Sequence, residues 1–93
     1  MAIVPIPVTL YSRPGCHLCE AVAAELMALA PQYPHTLTEI NIEDNDSLLR
    51  QYFDKIPVVV AGNHTLTAPI TPADLTSLLA RAHATARSSS EIV

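Results

Sequence analysis

The feature that most constrains this chain is a pair of cysteines separated by two residues, Cys16-His17-Leu18-Cys19. The pair follows a short strand-like run over residues 8–11 and opens an alanine-rich run with helical spacing. Cysteines at positions i and i+3 of a first helical turn lie on one side, so their sulfur atoms can form and release a disulfide. The sequence has no second cysteine pair to complete a four-thiolate metal site. The pattern therefore indicates a redox-active dithiol.

The start of a helix favours the thiolate form of Cys16. Unpaired backbone N–H groups and the positive end of the helix dipole both stabilise a negative charge there. About 1–2 kcal/mol of such stabilisation lowers a thiol pKa by about one unit from its usual value of about 8.5. We therefore predict that Cys16 is the nucleophile and that Cys19 is the thiol that resolves a mixed disulfide.

Two nearby cations are candidates for lowering the pKa of Cys16 further. They are Arg13, in the turn before the pair, and His17, inside it. The alternative interpretations are a solvated loop charge for Arg13 and an ordinary polar residue on the helix surface for His17. Arg13 is also a candidate for substrate binding.

Composition restricts the classes of protein to which the chain can belong. The chain has 93 residues, of which 49% are hydrophobic, and this suits one small domain with a compact core. A net charge of −4 disfavours nucleic acid or an anionic membrane surface as the main partner. Residues 1–7 are apolar but include neither a basic segment nor a small-residue cleavage site, so we predict no signal peptide. We therefore expect a cytoplasmic protein, in which paired cysteines are more often catalytic than structural, and we expect it to be a monomer.

The first half of the chain predicts two strands joined by a helix. The turn Ser12-Arg13-Pro14-Gly15 separates the first strand from a helix over residues 16–30. The apolar residues that the helical spacing places on one predicted face are Leu18, Val22, Leu26 and Leu29. A second strand is predicted over residues 36–42.

The second half predicts a short helix, a hairpin and a last helix. The short helix runs from a cap at Asn45 or Asp46 to Phe53, and the hairpin strands cover residues 57–60 and 64–67. The last helix is capped by Thr71 and ends near Ala82. The whole order is β-α-β-α-β-β-α, which predicts an α/β fold with a four-stranded mixed sheet flanked by helices. We assign residues 1–83 to one domain and residues 84–93 to a frayed C-terminal tail.

Two motifs carry a resemblance to a known family. A single strand precedes Cys16-His17-Leu18-Cys19, and Ile56-Pro57 opens an apolar strand further along. With the order of elements over residues 8–82, they resemble the glutaredoxin-like branch of the thioredoxin superfamily. The resemblance implies a thioredoxin-like fold, thiol–disulfide oxidoreductase activity through Cys16 and Cys19, and a cis peptide bond before Pro57.

The implied cis bond has a role in substrate binding. It would leave the Ile56 backbone N–H and C=O free beside Cys16, where they could pair with an extended segment of a disulfide substrate. The pattern of residues alone allows the alternative that Pro57 is trans and merely begins a strand. Tyr11, at the end of the first strand, is a further candidate to flank a substrate, with core packing as its alternative.

The chain departs from the family where glutaredoxins typically hold glutathione. It has Thr67-Ala68-Pro69-Ile70 in place of a Gly-Gly pair and an acidic residue. Thr71 at a helix N-terminus and Lys55 are candidates to bind a carboxylate, and their alternatives are an ordinary cap and a solvated charge. We expect no bound cofactor. Glutathione and a thioredoxin-type system both stay open as the reductant, and the expected substrates are protein or small-molecule disulfides.

Two other classes compete with the oxidoreductase. One is a metal or iron–sulfur carrier that uses Cys16 and Cys19, with two subunits supplying four thiolates. The other is a redox-inert interaction module. No residue is assigned as a metal ligand, because ligand spacing is absent among the histidines His35, His64 and His83. Glu25 is a weak candidate for the proton acceptor of the dithiol, since its spacing favours a solvent-facing position.

Overall fold

The computed structural model describes the backbone of residues 5–92 and the side chains of residues 5–85. Within that range the chain forms four strands and three helices in the predicted order. The strands are β1 (Ile6–Ser12), β2 (His35–Asn41), β3 (Val58–Ala61) and β4 (His64–Thr67). The helices are α1 (His17–Leu29), α2 (Asp46–Tyr52) and α3 (Pro72–Ile92). Residues 1–4, part of the segment used to predict the absence of a signal peptide, lie outside the described residues, as does Val93.

The four strands form one mixed sheet in the order β2-β1-β3-β4. β1 and β2 are parallel, and α1 makes the crossover that a parallel pair requires. β3 lies antiparallel to both β1 and β4. Gly62, with a φ of 60°, supplies the left-handed conformation in the tight turn between β3 and β4. The predicted α/β fold with a four-stranded mixed sheet is confirmed.

Helices cover both faces of the sheet, as the element order predicts. α1 and α3 pack on the face from which the β1 side chains of Val8 and Leu10 project. Apolar side chains of β1, β3, α1 and α3 form the buried core, which includes Leu10, Leu26, Val59, Leu75, Leu78 and Leu79. On the other face, Tyr52 of α2 stacks on Tyr11 of β1 with ring centroids 4.8 Å apart.

Two local predictions in the first half were wrong. Leu18 is 66% exposed and does not join Val22 and Leu26 in the core, because its side chain faces an open groove. The second strand ends at Asn41, whose side chain accepts a hydrogen bond from the Glu43 backbone N–H at 2.9 Å. That cap begins a one-turn 3₁₀ helix, Ile42–Asp44, and β2 therefore stops before Ile42.

The last helix is longer than the sequence predicted. The prediction ended it near Ala82 and placed a frayed tail after His83, whereas α3 continues to Ile92. Residues 83–92 contain neither proline nor glycine, so they carry no signal that would end a helix. The domain boundary at residue 83 stays a prediction. In the part of the chain that the structure describes, every helix is too short or too polar to cross a membrane.

Candidate active site

The two cysteines lie together where α1 begins. Cys16 is the N-cap of α1, and its Sγ accepts a hydrogen bond from the Cys19 backbone N–H at 3.1 Å. The Cα atoms of the two residues are 5.2 Å apart, and their sulfur atoms are at disulfide-bonding distance. Gly15, with a φ of 81°, turns the chain after β1 so that Cys16 can enter this position. The helix start predicted from the sequence is therefore confirmed.

Solvent reaches the two cysteines unequally. Cys16 is half-buried, whereas Cys19 is 1% exposed and packs into the protein. An external disulfide can thus approach the Cys16 sulfur but not that of Cys19. This asymmetry agrees with the predicted roles of nucleophile and resolving thiol, which stay predictions.

A polar cleft of about 420 Å³ opens on one side of the disulfide. We use "polar cleft" for the space lined by Ser12, Arg13, Pro14, Gly15, Cys16, Cys19, Glu20, Glu39 and Asn41. Ser12, at the end of β1, is 5% exposed, and its hydroxyl donates to Glu39 Oε2 at 2.8 Å. The cleft therefore combines the sulfur atoms with a buried hydroxyl and a carboxylate.

The two predicted cations each have a carboxylate close by. Arg13 Nη2 lies 2.7 Å from Glu43 Oε2, with both side chains about two-fifths exposed. His17 points into solvent with 92% of its side chain exposed, and its Nδ1 is 3.5 Å from Glu20 Oε2. A neighbouring carboxylate offsets the effect of a cation on a nearby sulfur. Arg13 and His17 therefore stay unproven as groups that tune Cys16.

A second space, an apolar groove of about 240 Å³, is lined by Leu18 but by neither cysteine. We use "apolar groove" for the space lined by Leu18, Ala21, Val22, Glu25, Pro57, Ala68, Pro69, Ile70, Pro72 and Leu75. The Ile56-Pro57 peptide bond is cis, which confirms the conformation implied by the resemblance. The Ala68-Pro69 bond is also cis, and the sequence offered no signal for it. Glu25, the weak candidate for proton acceptor, lines this groove and not the polar cleft.

The expectation that the Ile56 backbone N–H is free for a substrate was wrong. This N–H donates to the Tyr52 carbonyl at 3.1 Å, and the Lys55 N–H donates to the same carbonyl at 2.8 Å. Carbonyls in the last turn of a helix lack partners within the helix, and these two amides satisfy the one at the end of α2. The Lys55 side chain lies 3.5 Å from Asp54, on the surface. Tyr11 packs on Tyr52 of α2, and its role in flanking a substrate stays a prediction.

Thr71 forms a reciprocal cap at the start of α3. The Asp74 N–H donates to Thr71 Oγ1 at 3.1 Å, and the Thr71 N–H donates to Asp74 Oδ2 at 2.9 Å. Hydrogen bonds from the backbone and then from the side chain of Thr71 lower the pKa of the Asp74 carboxyl below its usual value. The predicted cap is confirmed. Binding of a substrate carboxylate by Thr71 stays a prediction, and its own N–H is already engaged.

Three site residues escaped the sequence analysis: Ser12, Glu39 and Glu43. Ser12 left a signal, since it occupies the next position in the alternating buried series Ile6, Val8 and Leu10. Glu39 left none, because its position depends on how β2 pairs with β1. Glu43 follows β2 in the 3₁₀ helix, and its pairing with Arg13 joins two segments far apart in the sequence. Among the described residues, no three His, Cys, Asp or Glu side chains gather closely enough to hold a metal ion.

The sheet order, together with a dithiol at the start of its first helix, defines a thioredoxin-like fold with a redox-type site. Residues 7–89 match the family model described as "Glutaredoxin-like domain (DUF836)". Because the match spans most of the chain, this protein belongs to that glutaredoxin-like family.

Solved structures from other organisms show the same fold. The solution NMR structure of protein Ne2328 from Nitrosomonas europaea is 32% identical, covering 83% of this chain and 94% of that one, with a TM-score of 0.69. The X-ray structure of XcR50 from X. campestris is 27% identical, and the match covers 80% of this chain and 96% of that one, with a TM-score of 0.67. Thioredoxin 1 from Thermosipho africanus TCF52B is 12% identical, and the match covers 88% of this chain and 99% of that one, with a TM-score of 0.68. At this level of identity the likeness supports the fold alone. No curated protein matches the chain.

Proposed function

We propose that this protein is a thiol–disulfide oxidoreductase that acts through Cys16 and Cys19. The Cys16 thiolate attacks one sulfur of a substrate disulfide, forms a mixed disulfide and releases the other sulfur as a thiolate. Cys19 then attacks Cys16 Sγ, which releases the second substrate sulfur and closes the Cys16–Cys19 disulfide. The substrate gains two electrons and the dithiol loses two. An external thiol reductant returns the protein to the dithiol.

The observation that carries the proposal is the N-cap position of Cys16, the more accessible of the two cysteines. In the disulfide form the Cys19 N–H already donates to Cys16 Sγ at 3.1 Å. When the disulfide is reduced, the same N–H and the helix dipole favour a negative charge on Cys16. They therefore lower the pKa of the Cys16 thiol, and a larger fraction is reactive thiolate near neutral pH.

We propose a segment of a protein disulfide as the occupant of the apolar groove. Leu18 lies between the two cysteines in sequence and lines the groove, so a substrate held on Cys16 is tethered at its edge. The Ala68-Pro69-Ile70 segment supplies apolar contacts where related glutaredoxins typically have glycines and an acid. Apolar lining favours apolar substrate side chains over the charged ends of glutathione. A thioredoxin-type system is therefore the proposed reductant, in the cytoplasm.

Two cysteine variants test the oxidoreductase proposal. Reduced Cys16→Ser, Cys19→Ser and wild-type protein are each mixed with a protein disulfide such as insulin. Wild type should reduce it repeatedly with dithiothreitol as the reductant, and Cys16→Ser should fall to the uncatalysed rate. Cys19→Ser should accumulate a mixed disulfide through Cys16, visible by mass spectrometry without reducing agent. The same assay, run with glutathione or a thioredoxin system as the reductant, tests the choice between them.

Thermal melting of the reduced proteins serves as the control, since each serine replaces one thiol at constant shape. A mixed disulfide on Cys19 with an inert Cys16 would reverse the assigned roles. An active Cys16→Ser variant would end the proposal that this dithiol is the reaction centre.

A further inference from the structure

The reaction proposed above requires Cys19 to lose a proton. Cys19 is 1% exposed, and burial disfavours a thiolate at such a position. The Cys19 proton must therefore leave as the new S–S bond forms. Solvent has almost no direct access to Cys19 and is poorly placed to accept this proton. The question is which side chain of the protein takes that proton.

The sheet places a hydroxyl and a carboxylate in the cleft that Cys19 also lines. Ser12 continues the buried series of β1 on the face that α1 covers. In the parallel pairing of β1 with β2, Glu39 lies opposite Leu10, so its side chain projects from the same face as those of Leu10 and Ser12. Ser12, Glu39 and Cys19 all line the polar cleft, and the Ser12 hydroxyl donates to Glu39 Oε2 at 2.8 Å.

We propose that Ser12 and Glu39 carry the proton between Cys19 and solvent. This proposal rests on the proposed function and adds two residues to its second step. A serine hydroxyl has one proton and two lone pairs. Ser12 directs its proton to Glu39, and its lone pairs are oriented away from that bond, where they can accept the proton of a thiol.

The step is balanced in atoms and electrons. Cys19 Sγ forms a bond to Cys16 Sγ, and the bond from Cys16 Sγ to the substrate sulfur breaks with its electron pair on the substrate. The Cys19 proton passes to Ser12 Oγ, and the Ser12 proton passes to the Glu39 carboxylate. When an external thiolate later attacks Cys16 Sγ, Cys19 leaves as a thiolate. Protonated Glu39 then returns the proton by the same route.

The other charged groups near the disulfide are engaged elsewhere. Glu43 pairs with Arg13 at 2.7 Å, and Glu20 faces the exposed ring of His17. Glu25 lines the apolar groove. Glu39 is thus the carboxylate of the polar cleft that a buried hydroxyl holds in place.

A chromogenic disulfide separates the two steps of the reaction. Reduced protein is mixed rapidly with 5,5′-dithiobis(2-nitrobenzoic acid), which releases one coloured thiolate when Cys16 attacks and a second when Cys19 resolves the mixed disulfide. Glu39→Gln should slow the second release at least about tenfold near neutral pH, within the range for a lost general base. The first release should change by less than about twofold, because Cys16 attack does not use this route.

The pH profile and two matched variants distinguish a proton route from a structural effect. The deficit of Glu39→Gln should shrink at alkaline pH, where the Cys19 thiol ionises without an acceptor. Ser12→Ala should behave like Glu39→Gln, while Ser12→Thr, which keeps the hydroxyl, should restore the second release. Glu20→Gln removes a carboxylate from the same cleft and should leave the second release unchanged.

The outcomes separate this proposal from the one on which it rests. An unchanged second release in Glu39→Gln would overturn the proton route while leaving the oxidoreductase intact. Equal slowing by Glu20→Gln would also overturn it, since the loss would then not depend on the carboxylate to which Ser12 donates. Absence of the first release in wild-type protein would instead overturn the proposed function itself.

Discussion

On one side of the Cys16–Cys19 disulfide, the ends of β1 and β2 contribute Ser12 and Glu39, joined by a hydrogen bond of 2.8 Å. The apolar groove lies between α1, Pro57, residues 68–70 and the start of α3, and Glu25 is its one charged lining residue. The disulfide therefore lines the polar cleft, and Leu18, between the two cysteines in sequence, lines a second surface of different chemical character. Polar side chains suit the movement of protons and charge, whereas apolar side chains suit contact with a substrate.

This difference implies that the polar cleft and the apolar groove have separate roles, which mutations can test. Changes to Ser12 or Glu39 in the polar cleft should alter the reactivity of the dithiol with every disulfide, large or small. Changes in the apolar groove should alter the affinity for protein substrates and leave the intrinsic reactivity of Cys16 unchanged. A variant of one surface that changed both the reactivity of the dithiol and the affinity for protein substrates would show that the two surfaces are energetically coupled.

Leu18→Asn should produce the largest effect on the groove side. Leu18 is 66% exposed, so a neutral polar side chain there meets solvent, leaves the core intact and adds no charge beside Cys16. Placing an amide where an apolar substrate side chain is to be buried should raise KM for a protein disulfide by about tenfold. The rate with a small disulfide such as hydroxyethyl disulfide should stay within about twofold, because that molecule is too small to fill the groove. Steady-state kinetics with both substrates measure the contrast.

Met27→Asn is the matched control for this experiment. Met27 is 68% exposed on the same helix but is absent from the lining of the apolar groove. It should therefore leave KM for both substrates unchanged. If Met27→Asn raised KM as much as Leu18→Asn does, the effect would reflect a general change in α1 and not contact in the groove.

Most of the fold and the centre of the site could be predicted from the sequence. Alternating apolar residues and the Pro-Gly turn located β1 and α1, and the cysteine spacing located the dithiol at the helix start. The Ile56-Pro57 motif pointed to the cis bond through a family resemblance and not through local chemistry. These features depend on residues that are close in sequence or on a motif that is itself distinctive.

The surroundings of the dithiol could not be predicted in the same way. The Ser12–Glu39 hydrogen bond joins residues far apart in the chain and depends on the register of a parallel strand pair. The exposure of Leu18 was missed because helical periodicity identifies an apolar face without showing whether a neighbouring element covers all of it. The engagement of the Ile56 N–H depends on where α2 ends, which sequence patterns locate poorly.

Glu43→Gln should produce a smaller effect, on the cleft side. Glu43 pairs with Arg13 at the surface, and exposed pairs of this kind are worth about 0–1 kcal/mol. Removing the carboxylate leaves the Arg13 charge uncompensated near Cys16, which favours the thiolate and lowers its pKa. The rate of Cys16 alkylation by iodoacetamide near pH 6 should rise by about twofold. Arg13→Gln combined with Glu43→Gln should return the rate to that of wild type.

A rate that fell in Glu43→Gln would contradict this electrostatic account. A rise of the same size in the double variant would show that the Glu43 charge acts on Cys16 directly and without Arg13. KM for a protein disulfide should not change in either variant, because neither residue lines the apolar groove.

Asp74→Asn should produce the smallest effect, and one on stability alone. Hydrogen bonds from Thr71 lower the pKa of Asp74 in the folded protein below its usual value of 3.8, so its charged form contributes stability above that value. The contribution is lost as the pH falls through the lowered pKa, where both folded and unfolded chains are protonated. Thermal melting should show a slightly lower Tm for Asp74→Asn at about pH 7, and the difference from wild type should shrink as the pH falls below 3.8. Since α3 also supplies Pro72 and Leu75 to the apolar groove, a change in Cys16 alkylation in this variant would mean that the groove and the sulfur chemistry are coupled.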